Sequence, residues 1–556
     1  MQEDKFSGIE HLTQKDLEAI DELLDNQDII IKSKKTIENI KREMARKYKL
    51  GKYLRNTDIL ERARQRNFFP DSHPWLRYLV KKPARSLSGV SVVAVMIPPL
   101  GSCPYQCSYC PTGDNAPKSY LGHEPSTLRA IRHDYDPYAI TTQRIEQLRT
   151  LGHAGNKIHV VVQGGTFLAL AKDEQDRIMK GIYDGILAAD IHKPFTKGQP
   201  PKTSNLAESM KLMETSFTRN VGTTFETRPD VCTKKDVDRL LELGGTWIEI
   251  GVQALSDKIY SRVNRGHTLQ HVIDAMQIAR DAGFKLSVHM MPNLYTTPDQ
   301  DIEMFKELFN NPAFRPDGLK IYPLLIVPGS KIYEEWILKT MDPMPYSDET
   351  LVEVLAKIKR DLPEYTRIHR IQRDIPEKYV AGGLKLGNLR NIVKDYLDQH
   401  NWKCSCIRCR EVGHVMNRSE YLPSSDLELR EIKYEASKGQ EYFLSYVDPT
   451  TDVLYGFLRM RFPSEKTYRP EFLPYSDIGI IRELHVYGQE IGMGNQPIYE
   501  SQAQHRGLGK KLMNRAEEIA QTVGARKMSV ISGIGVREYY QKLGYQRDGP
   551  YVSKSL

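Results

Sequence analysis

The fold is decided by a β-branched run and by the cysteines that follow it: VSVVAVMI at positions 90–97 and CPYQCSYC at positions 103–110. The run is typical of a buried strand. Cys103, Cys107 and Cys110 come directly after it, where a loop can wrap around a metal cluster. Three thiolates leave one iron of a [4Fe-4S] cube without a protein ligand, so that iron can bind a small molecule. The alternative is a zinc site with His123 as the fourth ligand.

Helical segments alternate with five further β-branched runs downstream of this first strand. The runs lie at positions 158–162, 223–226, 247–252, 285–289 and 318–325. Strands and helices in alternation predict a parallel α/β sheet, and six such units predict a complete or partial (β/α) barrel. Barrels of this kind carry their functional residues at the carboxyl ends of the strands.

The ends of the predicted strands carry glycines and polar side chains. They are Gly164, Gly165, Thr166, Glu226, Arg228, Gln253 and His289. Glycine lets a ligand approach the backbone closely, and an acid beside a guanidinium suits a zwitterionic ligand. A simple glycine turn and a buried structural ion pair are the alternatives.

The segment after residue 425 has a different pattern. Runs at 427–434, 441–447 and 453–461 predict antiparallel strands, and a strand at 480–486, a helix at 507–523 and a strand at 527–532 follow. These elements predict a second, α+β domain.

A glycine-rich turn precedes the last predicted helix, with the sequence QHRGLGK at positions 504–510. Backbone N–H groups of such a turn at a helix N-terminus can hold an anion. The turn resembles the Q/RxxGxG/A signature of the GNAT family of N-acetyltransferases. The resemblance implies coenzyme A contacts from residues of the turn and of the preceding strand: Gln504, Gly507, Leu508, Gly509, Lys510, Glu483, Leu484, His485 and Val486. Tyr539 and Tyr540 are expected to place a phenol near the thioester sulfur, with a structural pair of core tyrosines as the alternative.

The composition is that of an ordinary soluble globular protein. The 556 residues are 40% hydrophobic and 27% charged, which predicts two or three domains. No apolar run approaches the roughly 20 residues of a membrane span, so we expect no membrane partner and a cytoplasmic protein.

The net charge of +8 is unevenly distributed. Residues 1–31 hold two lysines against nine acids, whereas residues 32–85 hold seventeen Lys and Arg against five acids. Helical periodicity extends over about residues 11–68. A basic block of this kind favours a polyanion partner, and the alternative is a solvated basic helix.

The first cysteine motif, with Tyr109 before its last cysteine, resembles the radical S-adenosylmethionine (SAM) superfamily. The chain as a whole, over about residues 75–556, resembles the catalytic subunit of Elongator and its stand-alone archaeal and bacterial relatives. The motifs that carry this resemblance are ELHVYG at 483–488, QHRG at 504–507, ISGIGVR at 531–537 and YYQKLGY at 539–545.

The resemblance implies a tRNA uridine(34) acetyltransferase that forms 5-carboxymethyluridine at the wobble position. Its substrates would be acetyl-CoA and the anticodon stem-loop of tRNA, and its cofactors would be SAM and a [4Fe-4S] cluster reduced by an external electron donor. A deoxyadenosyl radical would take hydrogen from the acetyl methyl, the carbon radical would add to uridine, and thioester hydrolysis would release the product. Lys172 would reach coenzyme A from the radical SAM domain.

A second cysteine cluster, Cys404, Cys406 and Cys409, resembles a structural zinc site of this family. His414 or His369 is a candidate for the fourth ligand, and free thiols are the alternative. RNA contacts are expected from basic positions, namely Lys81, Lys82, Arg85, Arg367, Arg370 and Arg373.

Four regions are therefore expected: a basic helical tRNA-binding region (1–75), a radical SAM partial (β/α) barrel (76–390), a zinc-binding linker (391–425) and a GNAT domain (426–556). A protein lysine acetyltransferase with a structural iron-sulfur domain is the second candidate function, and a non-catalytic RNA-binding scaffold is the third. The sequence leaves the oligomeric state open.

Overall fold

The computed structural model describes residues 9–26, 34–66, 68, 73, 75–99, 105–164, 167–190, 203–384, 386–418, 421, 424, 426–488 and 507–556. Four residues with predicted roles lie outside the described residues: Cys103, Gly165, Thr166 and Gln504.

The N-terminal region is helical, as predicted. Its helices are α1 (Gln14–Asp25), α2 (Lys34–Lys47) and α3 (Asn56–Gln65). Helix α1 begins at the capping box formed by Thr13 and Asp16. The acids of α1 pair with the basic residues that follow: Arg62 lies 2.7 Å from Asp21, and Lys47 lies 2.5 Å from Glu22. The basic block is therefore partly neutralised by the acidic segment before it.

The middle of the chain forms a half-barrel. Within the described residues, seven parallel strands lie in the order β1-β2-β3-β4-β5-β6-β8. They are β1 (Ser91–Met96), β2 (Lys157–Gln163), β3 (Arg219–Thr227), β4 (Trp247–Gln253), β5 (Lys285–Met290), β6 (Gly318–Ile321) and β8 (Arg367–Arg370), while β7 (Leu325–Ile326) pairs with β9 (Gly382–Gly383). The six predicted strands are confirmed. Strand β8 was missed because its four residues, RIHR, include three polar ones.

Helices cover the outside of this sheet and lead into the next domain. They are α4 (Pro125–Arg132), α5 (Pro137–Thr150), α6 (Lys172–Ala188), α7 (Leu206–Met213), α8 (Lys234–Glu242), α9 (Asp257–Arg262), α10 (Leu269–Asp281), α11 (Pro298–Asn310), α12 (Lys331–Ile337), α13 (Asp348–Arg360), α14 (Leu389–Gln399), α15 (Ile407–Arg410) and α16 (Val412–Arg418). In the described part of the chain, none of the helices has the length and apolar character that a bilayer crossing requires.

The C-terminal domain is a mixed sheet with two helices among the described residues. Its elements are β10 (Glu428–Ala436), β11 (Gly439–Val447), β12 (Leu454–Phe462), β13 (Ile478–Val486), α17 (Leu508–Thr522), β14 (Lys527–Val530), α18 (Arg537–Gln541), β15 (Gln546–Asp548) and β16 (Tyr551–Ser555). The strand order is β10-β11-β12-β13-β14-β16-β15, and only the β13–β14 pair is parallel within the described ranges. The predicted strands and helix are confirmed, and β15 and β16 were not predicted.

Buried ion pairs join the two domains. The Arg482 guanidinium of β13 lies 2.7 Å from the carboxylate of Asp317, the residue before β6, and 2.8 Å from Glu441. Glu483 binds Arg459 at 2.9 Å and Lys285, the first residue of β5, at 2.5 Å. These contacts hold β13 against the amino ends of the half-barrel strands.

Asp317→Asn tests this junction. The substitution leaves the buried guanidiniums of Arg482 and Arg459 without their shared carboxylate, so we expect a loss of about 3–5 kcal/mol in the free energy of unfolding. Urea denaturation followed by circular dichroism measures the loss. The matched control is Asp398→Asn in the exposed pair with Lys394, with an expected cost below about 0.5 kcal/mol. Equal losses in both variants would contradict the role of Asp317 at the junction between the domains.

Two joined cavities as the candidate active site

A small cavity of about 170 Å³ lies at the carboxyl ends of the half-barrel strands. Its lining includes all the predicted strand-end residues that the structure describes, together with two cysteines of the first motif: Cys107, Cys110, Gly164, Glu226, Arg228, Gln253 and His289. Residues spread over more than 180 positions of sequence thus meet in one place, because parallel strands end at the same edge of the sheet.

The cysteines lie in a positively charged environment. The Arg265 guanidinium lies 3.5 Å from the Cys107 sulfur, and the Arg228 guanidinium lies 3.9 Å from it. A hydrogen bond from Cys110, together with the charges of Arg265 and Arg228, lowers the pKa of Cys107 to about 4 against the effect of burial. The thiolate is the metal-binding form of cysteine, so this environment fits a cluster ligand. Arg265 lies in a loop without a motif, so sequence reasoning did not single it out.

Gly164 shapes the floor of this cavity. Its φ is +130°, and a Cβ atom there would lie 2.3 Å from Cγ1 of Ile97. Only glycine fits this position, and a ligand can therefore approach the backbone at the end of β2.

Glu226 and Arg228 do not pair with each other. The Arg228 guanidinium binds Asp230 at 3.0 Å and lies over the Tyr105 ring, 3.5 Å from its centroid. Glu226 instead accepts a hydrogen bond from Lys320 at 3.1 Å. Both residues line the cavity, but each already has its own counter-ion.

Lys320 belongs to a buried cluster that divides the interior of the half-barrel. Its ammonium also binds Glu249, and His289 lies 3.3 Å from the same carboxylate. Burial raises the pKa of Glu249, but Lys320 and His289 outweigh this effect and lower it to about 2. Lys320 and Glu249 lie inside strands and belong to no motif, so the sequence did not single them out.

A large cavity of about 2510 Å³ lies between the inner face of the half-barrel and the C-terminal domain. The predicted coenzyme A residues of the C-terminal domain that the structure describes all line it: Glu483, Leu484, His485, Val486, Gly507, Leu508, Gly509, Lys510, Tyr539 and Tyr540. Strand β13 pairs with β14 only as far as Ile481 among the described residues. The later part of β13 therefore faces the cavity.

The two tyrosines of α18 differ in exposure. Tyr540 is 6% exposed and Tyr539 is 39% exposed. A Cβ atom on Gly509 would lie 2.9 Å from the Tyr539 hydroxyl oxygen, which brings the Tyr539 phenol against the glycine-rich turn. Burial raises the pKa of both phenols, so both remain protonated near neutral pH.

Lys172 lies apart from these residues. It is exposed at the first position of α6, and its carbonyl oxygen accepts a hydrogen bond from Arg239 at 3.2 Å. It lines neither cavity. The described geometry does not bring Lys172 to the coenzyme A residues.

The two cavities meet at four residues that line both of them: Ser126, Gln163, Arg370 and Asp374. The arrangement of the two sites, which the sequence left open, is therefore an end-to-end one. The two cavities adjoin at the carboxyl end of β2, where Gln163 lines both.

The second cysteine cluster lies outside both cavities. The sulfur atoms of Cys404, Cys406 and Cys409 all lie within 4.8 Å of one another, which fits a shared metal ion. His414 instead binds Glu411 at 2.9 Å. His369 lies in the interior of the half-barrel, 4.6 Å from the Trp247 ring. Both histidines therefore lie outside the group formed by the three sulfur atoms.

Comparison with known proteins defines the class. Residues 97–309 match the radical SAM superfamily, residues 316–399 match the radical SAM C-terminal domain, and residues 416–545 match the acetyltransferase (GNAT) family. The protein thus combines a radical SAM domain with a GNAT domain. These families imply a [4Fe-4S] cluster and SAM for the first domain and acetyl-CoA for the second.

Full-length relatives define the family. A tRNA uridine(34) acetyltransferase of Methanocaldococcus jannaschii is 41% identical over 94% of this chain and 94% of its own length. Elongator complex protein 3 of Schizosaccharomyces pombe is 40% identical over 97% of each chain. The solved structure of Methanocaldococcus infernus Elp3 with an N-terminal deletion superposes with a TM-score of 0.73 at 38% identity, over 84% of this chain and 100% of that one. The chain belongs to this family of tRNA uridine(34) acetyltransferases and Elongator complex proteins 3.

Gly164→Ala tests the small cavity. The added methyl group must displace Ile97 or the backbone, so we expect SAM binding to weaken at least about tenfold. Equilibrium dialysis of anaerobically reconstituted protein, with iron content measured in parallel, provides the readout. The control is Gly524→Ala, which has a similarly positive φ of +86° but no atom within 4 Å of the new Cβ. Unchanged SAM binding in Gly164→Ala would remove this residue from the site.

Proposed function

We propose that this protein is a tRNA uridine(34) acetyltransferase that joins the acetyl methyl carbon of acetyl-CoA to carbon 5 of the wobble uridine and releases 5-carboxymethyluridine. The observation that carries the proposal is the junction of the two cavities at Ser126, Gln163, Arg370 and Asp374. A hydrogen abstraction from an acetyl group requires that a SAM site and a thioester site share one space.

The bound cluster and SAM supply the carbon radical chemistry, and the protein positions the reactants around it. In this proposal Cys103, Cys107 and Cys110 hold the cluster. The backbone at Gly164 to Thr166 and the side chains of Glu226, Arg228, Gln253 and His289 contact SAM. The internal pairs of Arg228 with Asp230 and of Glu226 with Lys320 fix these side chains in place before the ligand arrives.

The C-terminal domain presents the thioester. The turn from Gln504 to Lys510 holds the pyrophosphate, and the free edge of β13 at Leu484 to Val486 binds the pantetheine amides. Tyr539 or Tyr540, both protonated, donates a proton to the departing thiolate when the thioester is hydrolysed. Lys172 would contact coenzyme A only in a conformation in which α6 or the coenzyme A molecule lies elsewhere.

The mouth of the large cavity supports binding of RNA phosphates. Lys81, Lys82, Arg85, Arg129 and Arg132 line it, and Arg85, Arg129 and Arg132 form no ion pair with a described residue. Burial and the charges of Arg85 and Arg132 lower the pKa of Arg129. A cluster of cations without counter-ions favours a polyanion.

Other basic residues from the sequence prediction are less available for RNA. Arg367 binds Glu411, Arg370 binds Asp374, and Arg373 donates to the Ser119 carbonyl at 2.7 Å. We therefore propose that the phosphates contact the cavity mouth and those basic residues of the N-terminal region that form no ion pair with a described residue.

A protein lysine acetyltransferase is disfavoured by the state of Glu483, the carboxylate of β13 that lines the large cavity. That activity needs a general base near the amine. Burial raises the pKa of Glu483, but Lys285 and Arg459 outweigh this effect and lower it to about 2. A carboxylate with this pKa and two counter-ions is a poor base.

Mass spectrometry of nucleosides tests the function. Anaerobically reconstituted protein with SAM, acetyl-CoA, a strong reductant and tRNA should yield 5-carboxymethyluridine, and omission of any one component should abolish it. Cys107→Ser should lose the product because the cluster lacks a ligand, whereas Cys232→Ser, at a position that lines neither cavity, should retain it. Acetyl-lysine on added protein without carboxymethyluridine would instead support the second candidate.

We also propose that Cys404, Cys406 and Cys409 bind a structural zinc ion. A tetrahedral zinc with Zn–S bonds of about 2.3 Å requires sulfur atoms about 3.8 Å apart, and the observed cluster is compatible with this spacing. The ion would hold the segment after α14 against β8, where the Ile407 amide donates to the Thr366 carbonyl at 2.9 Å.

Elemental analysis tests the zinc site. Wild-type protein should contain about one zinc per chain, and Cys406→Ser should lose it together with some thermal stability because four-coordinate binding is incomplete. Cys232→Ser is the matched control and should keep its zinc. Protein that is free of zinc but fully stable would contradict the proposal.

A further inference from the structure

The junction between the two cavities is the place where the three reactants must meet. If the proposed function is correct, SAM occupies the small cavity, the thioester enters from β13 through the large one, and the uracil base must reach both. The junction is lined by only four residues of the described chain: Ser126, Gln163, Arg370 and Asp374. A group that selects the base is expected among them.

Most polar groups at this boundary are already paired. Arg370 binds Asp374. Glu226, Glu249, Lys320 and His289 form the buried cluster described above, in which each charged group has a partner. These groups can shape the site, but new hydrogen bonds to a neutral base would compete with strong ionic ones.

Gln163 differs from them. It is the last residue of β2, and its side chain points to the interior of the half-barrel, as do those of Val161 and His159 two and four residues earlier. Its backbone is fixed, because its carbonyl oxygen accepts the Ile97 amide at 2.9 Å. Its side-chain oxygen is buried and has no hydrogen-bond partner, and no described residue bonds to its NH2 group. A buried amide oxygen without a partner is unfavourable unless a ligand or water satisfies it.

The chemistry of the carboxamide distinguishes between the possible ligands. A primary amide offers an N–H donor and a C=O acceptor side by side. The acetyl thioester has an acceptor but no donor, so it can satisfy only one of the two. The imide edge of uracil has the N3–H donor next to a carbonyl acceptor and matches both. The terminal torsion of glutamine is soft, so the amide can turn this edge toward a base at the junction.

We propose that Gln163 binds the imide edge of the target uracil, through N3–H and an adjacent carbonyl, and so positions carbon 5 of the base where the two cavities meet. This assignment rests on the proposed function. It gives Gln163 a role in substrate recognition that is separate from the SAM contacts of the neighbouring Gly164.

A cycle of protein and RNA changes tests the contact by binding alone. Fluorescence anisotropy measures the affinity of anticodon stem-loop RNA with uridine or N3-methyluridine at the target position for wild-type protein and for Gln163→Met. Methionine has a similar length, no donor and only a weakly accepting thioether sulfur. We expect either single change to weaken binding about five- to tenfold, and the second change to add little to the first.

Two further variants serve as comparisons. Gln163→Glu keeps the shape but lacks the amide donor and should weaken binding at least as much as Gln163→Met. Gln521→Met, at an exposed position near the end of α17, is the matched control and should bind both RNAs as wild type does. The affinity for SAM and the iron content should be unchanged in all variants, since Gln163 is not assigned to SAM.

The outcomes separate the two proposals. Losses that simply add in the double change would overturn the contact between Gln163 and N3–H, and a weakened affinity for SAM would assign Gln163 to the small cavity instead. If the variants do not fold, the wild-type protein alone still tests the proposal. RNA with N3-methyluridine that binds wild-type protein as tightly as RNA with uridine would overturn it. Coupled binding in a protein that makes no carboxymethyluridine would support the contact and contradict the proposed reaction.

Discussion

The buried charge network between the domains is the constraint on which the rest of the structure depends. Arg482, Arg459 and Lys285 lie in the interior with Asp317, Glu441 and Glu483 as their counter-ions. A buried charge without a partner is strongly destabilising, so the two domains can adopt few relative positions that leave every group paired. The large cavity exists because this fixed position holds β13 across the amino ends of the half-barrel strands. The residues that face the thioester site, including Glu483, are also part of this network.

The two ends of the half-barrel strands have different roles in the site. At the carboxyl ends, loops and glycines such as Gly164 allow ligands to approach the backbone, and Cys107 lies among the guanidiniums of Arg228 and Arg265. Toward the amino ends, side chains such as Trp247 and Lys285 line the route to the second domain. Strand β2, with seven residues and a rise of about 3.3 Å per residue, spans roughly 20 Å between the two ends. This distance is comparable with the reach of the extended pantetheine arm of acetyl-CoA. Because the two cavities adjoin, the acetyl group on that arm can reach the radical site.

Pairing decides which charges are available for ligands. The sequence shows a strongly basic block after residue 31, but the folded chain directs acids of α1 onto Arg62, Arg66 and Lys47. The opposite holds for Arg85, Arg129 and Arg132, which have no counter-ion among the described residues and surround the cavity mouth. Local excess of charge therefore overstated the surface of the N-terminal helices, and it included Arg85 but not Arg129 and Arg132.

The sequence by itself determined the two domain types and the positions of most strands, and it predicted several residues that the fold brings to the two cavities. These features depend on short spacings, as in Cys103 to Cys110 and Gln504 to Lys510, or on the two-residue and helical periodicities of single elements. The tertiary structure alone decided which residues meet: Arg228 with Asp230, Lys320 with Glu226 and Glu249, and the two cavities at Gln163. It also left Lys172 outside both cavities. The physical reason is that such contacts join residues far apart in the chain, and no local pattern encodes which of several possible partners an ionic or amide group finds once the sheet has closed.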